Sequence, residues 1–396
     1  MNKLHILITR FPFQSSLGGE ELHTLHLAQA LKDKGHEVTL FSSDPVLGEL
    51  FEEHELPVWT ATAIRPPVTL WTLIVFTLLS PLYFVYLNWF LVKFWLGHRK
   101  SGNKLVLYSL SLPEKLLMSP VAKLLGFKVA WIEHARIGGW LTKNPWVIIY
   151  FFWSFLSEII TPSEQTAYPI RWAQNIRVIP HGVIFDKAPF EVKKLGSHDD
   201  KSSDKAVDKP KKTGPKSENF KILCVARLSQ DKGVDYLISA LLKLTNHGVQ
   251  ATLKVVGSGP EEASLKKMVQ ELHLDRYIEF TGKVPHEELA EFFEESDTVV
   301  LPSTQHDPFG LVVIEAMIMK KPMILTSICG ASEFLEDGVE ALVVPAKDEH
   351  ALYQALSALA TNQDLRAEIA QKGHSAVSKK FSHDRMVRDY ETLFLK

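Results

Sequence analysis

The chain has 396 residues, of which 46% are hydrophobic and 23% charged, and its formal net charge is −2. This length exceeds what one ordinary hydrophobic core serves, so two or three domains are expected. The charge balance argues against a general nucleic-acid binder, which needs an excess of Lys and Arg on one face. Cys224 and Cys329 lie in apolar runs without zinc spacing. We therefore expect small buried side chains there rather than a disulfide or a metal site.

The first 190 residues predict a parallel sheet covered by helices. Residues 3–9 form a short buried strand, a loop with Gly18 and Gly19 follows, and apolar residues at helical spacing lead to Gly35. A helix is predicted over 113–125, and further strands are predicted in HEVTLFS, KLVLYSL, FKVAWIEH, EIITPS and IRVIPHG. Short strand–helix–strand connections are typical of parallel sheets. Because the apolar stretch in MNKLHILITR is too short for a secretory signal, we expect a cytoplasmic protein.

An apolar insert at about 66–96 interrupts this pattern, and residues 66–92 contain no charged side chain. It is long enough to cross a bilayer. A single crossing, however, would place strands of one domain on opposite sides of the membrane. We therefore expect a pair of helices, divided near Pro81, that lies in the membrane interface, with Trp71 and Phe76 among the docking side chains. A buried pair of core helices and an integral membrane protein are the alternatives.

Residues 191–219 are rich in Lys, Asp and Ser and almost free of large apolar side chains. Such a segment cannot bury enough surface to offset the entropy of ordering, so we predict a flexible linker between domains. The alternative is a long surface loop within one domain. Strand–helix alternation then resumes over 220–380 and predicts a second doubly wound domain. Two amphipathic helices, over about 348–379 and 383–395, end the chain.

Parallel sheets bind ligands in loops beyond the carboxyl ends of their strands. Gly18 and Gly19, before a helix, would let the backbone approach a diphosphate oxygen, although ordinary turn chemistry explains most such pairs. Arg227 and Lys232 follow a buried strand and suit a diphosphate leaving group, although two solvated surface cations are an equal alternative. His134 ends a strand and is a candidate catalytic residue, although a lone histidine is more often structural.

The segment from Asp307 to Glu315 is the third such loop. Phe309, Gly310 and Leu311 would open a helix with free N–H groups, and Glu315 would lie about a turn further in. A Glu inside an apolar helix is costly without partners, so a ligand's ribose hydroxyls or a hydrogen-bond network should meet it.

These elements, in this order, resemble glycosyltransferase family 4 (group 1), which has the GT-B fold of two Rossmann-like domains facing across a cleft. GGEELHTLHLAQALKDKGHEVTLFS resembles the start of the acceptor domain, and VIPHGV resembles the domain-crossing segment. VARLSQDKGVDYLISAL and DPFGLVVIEAMIMKKPMILTS resemble the donor domain. In this α/β architecture we expect an N-terminal domain over 1–190, a donor domain over 220–380 and a last helix, over 381–396, returning to the first domain.

The resemblance implies a role for each site residue. His134, Asp307, Arg227 and Lys232 would be catalytic. The donor would be bound by the following residues: Gly18, Gly19, Arg227, Lys232, Val284, Asp307, Phe309, Gly310, Leu311 and Glu315. Within that set, Gly19 would meet the donor phosphate through its amide, Arg227 and Lys232 would hold the diphosphate, and Val284 would pack the base. Glu315 would bind the ribose, while His134 contacts the transferred sugar.

Three positions depart from the family's pattern. The family's Glu-x7-Glu begins here with Asp307, which is one methylene shorter and puts the sugar preference in doubt. His181 stands where the family has Asn, and Cys329 replaces the first Gly of a Gly-Gly pair.

The resemblance implies a retaining, metal-independent glycosyltransferase that moves a hexose-type sugar from a UDP- or GDP-linked donor without a cofactor. With the apolar insert, we expect a lipid-linked or glycan acceptor and a peripheral position on the cytoplasmic face of the membrane, with no nucleic acid as partner. A non-catalytic nucleotide-sugar-binding module on a membrane surface is one alternative, and an epimerase of the same fold is another.

Overall fold

The computed structural model describes residues 3–12, 18–62, 64–134, 144–173, 175–183 and 219–396. The chain divides into two compact units: the first comprises 1–182, 306–311 and 381–396, and the second comprises 183–305 and 312–380. The predicted linker, 191–219, lies outside the described residues except for Asn219, so its flexibility stays a prediction.

The first unit contains a seven-stranded parallel sheet in the order β3-β2-β1-β4-β5-β6-β7. Its strands are β1 Leu4–Arg10, β2 Glu37–Ser42, β3 Val58–Thr60, β4 Lys104–Ser109, β5 Lys128–Ile132, β6 Glu158–Thr161 and β7 Ile176–Val178. All seven residues of β1 are buried, as expected for a central strand covered on both faces. Ile6 lies opposite Val38 on one side and Val106 on the other. The order reverses between β1 and β4, which places a ligand-binding crevice beyond their carboxyl ends.

The described residues before the second unit form seven helices. They are α1 Gly19–Asp33, α2 Pro45–Glu53, α3 Leu70–His98, α4 Leu112–Leu117, α5 Ser119–Leu124, α6 Val147–Ser154 and α7 Glu164–Ala167. The prediction of one helix over 113–125 is wrong in detail, since it is two short helices. The second begins at Ser119 with Pro120, whose missing N–H suits a first turn and not a helix interior.

The second unit contains a six-stranded parallel sheet in the order β10-β9-β8-β11-β12-β13. Its strands are β8 Phe220–Val225, β9 Ala251–Val256, β10 Ile278–Gly282, β11 Thr298–Leu301, β12 Met323–Thr326 and β13 Leu342–Val344. The helices described between β8 and residue 380 are α8 Val234–Asn246, α9 Glu262–Glu271, α10 Leu289–Glu295, α11 Leu311–Ile318, α12 Glu349–Thr361 and α13 Gln363–Lys380. Leu311, the first residue of α11, belongs to the first unit. Cys224 and Cys329 are buried free thiols, as predicted.

The C-terminal helices differ from the prediction in number. The helix predicted over 348–379 is two helices, because Asn362 takes an extended conformation and its side chain accepts a hydrogen bond from the Leu365 amide at 2.9 Å. Asn362 therefore caps a new helix. The last helix, α14 His383–Leu395, returns to the first unit as predicted, and Tyr390 and Phe394 are buried in the core of that unit.

The apolar insert forms one continuous helix, so the prediction of a pair divided near Pro81 is wrong. α3 begins with a capping box between Thr69 and Thr72 and runs for 29 residues. Pro81 cannot donate to the Thr77 carbonyl, but the Ser80 hydroxyl donates to that oxygen at 2.9 Å. The helix therefore passes through the proline without losing a carbonyl partner.

The two sides of α3 have opposite environments. Phe76 is 1% exposed and packs against Trp146, so its predicted role as a docking side chain is wrong. Trp71 is 72% exposed. The exposed apolar side chains of α3 are Leu70, Trp71, Ile74, Leu78, Leu82, Phe84, Val85, Trp89 and Leu96. Among the described helices, α3 alone is long and apolar enough to cross a membrane by length and composition, with a mean hydropathy of 1.9 and 11% of that window buried. A buried pair of core helices does not fit this exposure.

Candidate active site

The loop before α1 brings a glycine against Leu311 of the same unit. Gly18 is extended, with φ −158°, and precedes the first turn of α1. A Cβ on Gly19 would lie 2.6 Å from Cδ1 of Leu311, which belongs to the same unit. The structure therefore places Gly19 and Leu311 together at the carboxyl end of β1, and a larger residue at Gly19 would displace the leucine.

His134 lies two residues beyond β5 in a cluster of three histidines. Its ring stacks on that of His181 at 5.7 Å between centroids and meets that of His23 edge-on at 5.3 Å. Nδ1 of His181 lies 3.0 Å from Nδ1 of His23, and Nε2 of His23 lies 3.3 Å from the Tyr390 hydroxyl of α14. Nε2 of His134 is buried without a hydrogen-bond partner among the described residues.

Burial keeps this histidine cluster neutral. It lowers the pKa of His181 to about 4 and holds the pKa values of His23 and His134 well below 6.5. The neighbouring imidazoles lower the pKa values of His23 and His134 further. His134 is therefore an uncharged imidazole at neutral pH, able to donate through one nitrogen and accept through the other.

The predicted loop from Asp307 to Leu311 is fixed within the first unit. The Ser163 hydroxyl donates to the Pro308 carbonyl at 3.0 Å. Phe309 is buried, and its ring meets His181 edge-on at 5.0 Å. Gly310 has φ +76°, a left-handed conformation that favours glycine. Asp307 is buried in the same loop.

A buried charge network that the sequence analysis missed lies beside Gly18. Arg10, the last residue of β1, pairs with Glu21, and its Nε lies 3.0 Å from Oδ2 of Asp44. Glu20 lies 3.7 Å from the same guanidinium. Burial raises the pKa of Glu20, and Arg10 opposes that rise. Their positions in the sequence could have indicated this network, since Arg10 ends β1 and Asp44 follows two residues after β2.

A second missed network adjoins His134. Nζ of Lys115 donates to Oε1 of Glu133 at 2.7 Å and to the Ile132 carbonyl at 2.6 Å. The Tyr150 hydroxyl donates to the same glutamate oxygen at 2.8 Å. Lys115 is buried, so the carboxylate of Glu133 is held in place by two donors. Together the two networks make this edge of the sheet polar and rich in carboxylates.

In the second unit, Arg227 and Lys232 lie on the loop after β8. The Arg227 side chain is 70% exposed and lies 3.8 Å from Asp231. Lys232 ends a short 3₁₀ turn, and Gly233 follows in the left-handed region, with φ +63°. A Cβ on Gly233 would collide with the carbonyl of Pro302. The backbone that carries both cations is therefore fixed against the loop after β11.

Glu315 lies one turn inside α11, as predicted, and its side chain is 13% exposed. Burial raises the pKa of Glu315, and the charge of His286 opposes that rise. Nε2 of His286 lies 3.7 Å from Oε1 of Glu315. His286 stands two residues after Val284 beyond β10, so the segment that carries Val284 reaches Glu315 through His286. His286 was not predicted from the sequence.

The predicted residues are thus divided between the units. The first unit holds Gly18, Gly19, His134, Asp307, Phe309, Gly310 and Leu311, and the second holds Arg227, Lys232, Val284 and Glu315. Each of them lies in a loop that follows a strand or in the first turns of the helix after it, the positions at which parallel sheets bind ligands. A pocket of about 440 Å³ in the second unit, lined in part by Lys221 and Arg276, lies at the opposite edge of its sheet.

Two family models match the chain. Residues 17–187 match the one described as "Glycosyltransferase Family 4", and residues 206–376 match the one described as "Glycosyl transferases group 1". Between them they cover both sheets except β1.

Curated relatives match in part. The alpha-D-kanosaminyltransferase of Streptomyces kanamyceticus is 29% identical over 161 residues, which is 41% of this chain and 42% of the relative. The lipopolysaccharide core biosynthesis glycosyltransferase LpsE of Rhizobium meliloti is 27% identical over 185 residues, 47% of this chain and 52% of the relative. The chain thus spans about half the length of these relatives or less.

Among solved structures, Anabaena HepE in complex with UDP superposes with a TM-score of 0.73 at 20% identity, covering 98% of this chain and 99% of HepE. At that identity the match shows the fold, which is two Rossmann-like sheets.

Proposed function

Because the chain belongs to the group 1 glycosyltransferases of family 4, we propose that it moves a hexose-type sugar from a nucleotide-sugar donor to a lipid-linked or membrane-associated acceptor, with retention of anomeric configuration. The observation that carries the donor half of this proposal is the nearly buried carboxylate of Glu315. The observation that carries the acceptor half is the exposed apolar face of α3.

Glu315 supports nucleotide binding because burial has removed water from its carboxylate and the contact with His286 only partly replaces it. Desolvation raises its pKa, and the charge nearest to it is that of His286 at 3.7 Å. Two ribose hydroxyls would donate to the carboxylate and replace the water that it lost. Val284 and His286 lie in one loop, so a base packed at Val284 would place its ribose beside Glu315. The HepE structures contain UDP and UDP-glucose, which favours a uridine donor over a guanosine donor.

Arg227 and Lys232 support cleavage of the sugar–diphosphate bond without a metal. As the bond from carbon 1 of the sugar to the phosphate oxygen breaks, its electron pair passes to the diphosphate. Two cations on a fixed loop stabilise that growing charge. The acceptor hydroxyl then bonds to the same face of carbon 1, and its proton passes to the departing phosphate oxygen. The predicted roles of Gly18, Gly19 and Asp307 in this step stay predictions.

His134 suits contact with the transferred sugar. It is a neutral imidazole, and its Nε2 has no hydrogen-bond partner among the described residues. A sugar hydroxyl would satisfy that atom. The carboxylates of Glu20 and Glu133, on the same edge of the sheet, are acceptors for further hydroxyls of a sugar or glycan.

The surface of the first unit supports docking on a membrane, which we propose to be at its cytoplasmic face. Every large apolar side chain that is exposed among the described residues lies between Leu70 and Trp172, and most are on α3 and α6. α3 joins β3 to β4, two strands of one sheet, so it lies along the membrane rather than across it. Nζ of Lys93 lies 5.6 Å from the ring centre of Trp89, a pairing suited to the headgroup layer.

The test uses the full chain with phospholipid vesicles and a set of UDP- and GDP-sugars. A thermal shift should identify one donor, since a ligand of the native state raises apparent stability. With that donor and a membrane lipid extract, we expect nucleotide release coupled to a glycosylated lipid whose anomer matches the donor. Binding without hydrolysis or transfer would favour the non-catalytic module, and an inverted anomer would overturn retention. A sugar converted while still attached to its nucleotide would identify an epimerase.

A further inference from the structure

At the amino edge of the first sheet, three side chains that play no part in the proposed reaction converge. His5 lies near the start of β1, Glu37 begins β2 and His98 ends α3. One ligand atom from each lies within 4.8 Å of the other two, and this is the one such group with metal-binding potential among the described residues. β1 is seven residues long, so this group lies about 20 Å from the loops at the carboxyl edge.

The hydrogen bonds around the group orient both imidazole rings toward Glu37. Nδ1 of His98 donates to the Phe94 carbonyl at 2.8 Å, which leaves the lone pair of Nε2 toward Glu37. Nε2 of His5 lies 2.9 Å from the side-chain nitrogen of Asn103 and 3.1 Å from the Ser101 hydroxyl, and its Nδ1 lies 2.7 Å from Oε2 of Glu37. Because an amide nitrogen donates, the proton of His5 lies on Nδ1 in the metal-free protein, and an ion bound there would displace that proton while the Asn103 amide turns its oxygen toward Nε2. Metal-ligating histidines are typically oriented as His98 is, through a hydrogen bond from the other ring nitrogen.

The distances fit a small cation after minor adjustment. Oε2 of Glu37 lies 2.7 Å from Nδ1 of His5 and 3.8 Å from Nε2 of His98. A tetrahedral ion with bonds of about 2.0–2.1 Å needs about 3.3 Å between ligand atoms, a value between the two. His5 is buried while Glu37 and His98 are partly exposed, so a water could complete the site. Lys3, which lies 2.9 Å from Oε1 of Glu37, is exposed enough to move away.

We propose that His5, Glu37 and His98 bind one divalent transition-metal ion of the Zn²⁺ class. Two imidazole ligands and one carboxylate favour such an ion over Mg²⁺ or Ca²⁺, which prefer oxygen ligands. The ion would join the last residue of α3 to the starts of β1 and β2. It would therefore secure a long helix whose outer face is exposed, and it would have no part in sugar transfer.

The experiment uses the full chain without an affinity tag, freed of metal by a chelator and titrated with Zn²⁺ and, for its visible spectrum, Co²⁺. We expect one ion per chain, a Co²⁺ spectrum typical of tetrahedral coordination and a rise in melting temperature with Zn²⁺. H98A and E37Q should each weaken binding by at least about 10–100-fold. E37Q keeps the volume of a half-exposed side chain, so it tests the site even where loss of the His98 ring lowers stability.

The matched control is H54A. His54 is exposed and makes the same type of hydrogen bond as His98, from Nδ1 to the Leu50 carbonyl at 2.8 Å, but it lies outside the group. It should leave binding unchanged. The proposal is overturned if the wild-type chain takes up no stoichiometric ion, which would mean that Glu37 only pairs with Lys3 and His5. It is equally overturned if H98A and E37Q bind as the wild type does.

Discussion

At the scale of single residues, the donor site depends on which hydrogen-bond donors replace the water that the buried carboxylate of Glu315 has lost. Its carboxylate has lost most of its water, and His286 is a weak substitute because it is partly exposed and lies 3.7 Å away. A ribose would supply two hydroxyl donors at once. The side chain is therefore expected to contribute more to nucleotide binding than to the stability of the empty protein.

E315Q should weaken donor binding by about 10–100-fold, because hydrogen bonds to a charged group contribute about 1.5–3 kcal/mol and the amide is a poorer acceptor. The melting temperature without ligand should stay close to that of the wild type. The measurement is the donor-dependent thermal shift, followed by the Michaelis constant. E271Q, at an exposed position on α9, is the control. A donor shift of wild-type size in E315Q would remove Glu315 from the nucleotide site.

Lys232 should act on the chemical step more than on binding. K232A removes a cation that meets the charge growing on the diphosphate, so we expect kcat to fall by about 10²–10³-fold, the range seen when one fixed donor to a developing charge is removed. The apparent affinity for the free nucleotide should change less. The exposed K267A on α9 is the control. An equal loss in kcat and in nucleotide affinity would assign Lys232 to ground-state binding.

The position of His134 could be predicted from the sequence, but its surroundings could not. A histidine just beyond a buried strand of a parallel sheet must lie at the ligand-binding edge, whatever the details of the fold. His23 and His181 come from α1 and from the residues after β7, and only the strand order brings these segments together. The same holds for Arg10 and Asp44, which stand at the ends of different strands.

At the scale of secondary structure, α3 shows where local rules mislead. The uncharged composition of 66–92 correctly predicted an unusual apolar element, but the presence of Pro81 led to the wrong prediction of two helices. The Ser80 hydroxyl, which satisfies the carbonyl that Pro81 leaves free, is a local compensation that composition does not reveal. In a segment that is apolar on every side, the sequence does not show which aromatic side chains face the core. Phe76 was therefore wrongly predicted to lie at the surface.

W71E and L78E should each reduce partition onto phospholipid vesicles by at least tenfold. Trp71 and Leu78 are 72% and 74% exposed, so their contact with lipid would contribute about 1.5–3 kcal/mol each, and a carboxylate would add a desolvation penalty. The measurement is cosedimentation with vesicles, together with the melting temperature, which should not change.

L124E is the matched control for W71E and L78E, since Leu124 is exposed but lies on α5. Retention of W71E and L78E on vesicles to the same extent as L124E would mean that the face of α3 does not dock. A fall in melting temperature without any change in partition would assign the same face to packing within the protein.

At the scale of the whole molecule, strand–helix alternation was enough to predict two doubly wound sheets, because parallel strands with helical crossovers allow few other arrangements. The strand order was not available from periodicity. It places the histidine cluster at the edge where β1, β5 and β7 end, beside α14, whose Tyr390 closes the cluster. The folding of the first unit therefore includes the burial of three imidazoles and the last helix of the chain.

This burial has a consequence for stability in acid. In the native state His181 has a pKa of about 4 and stays neutral above that pH, whereas in the unfolded chain it takes up its proton near pH 6.5. Between these values the unfolded state binds more protons, so stability falls as the pH falls from 6.5 to 4. His23 and His134 act in the same direction. Glu114 opposes them, because burial raises its pKa to about 8 and its contribution to stability is lost as the pH rises from 4.5 to 8.

H181N should separate these effects, since Glu114 is common to both proteins and cancels in the comparison. At pH 7 the variant should be less stable, because it loses the contacts of the His181 ring with His23 and Phe309. As the pH falls from 6.5 to 4, the difference in free energy of unfolding should shift in favour of the variant by about 3 kcal/mol. Over this range the unfolded wild type binds a proton at His181 that the native state does not bind. Denaturant unfolding across this range measures it, with the exposed H54N as control. A difference that stays constant with pH would show that native His181 takes up its proton over the same pH range as the unfolded chain, and the buried neutral cluster around His134 would then be wrong.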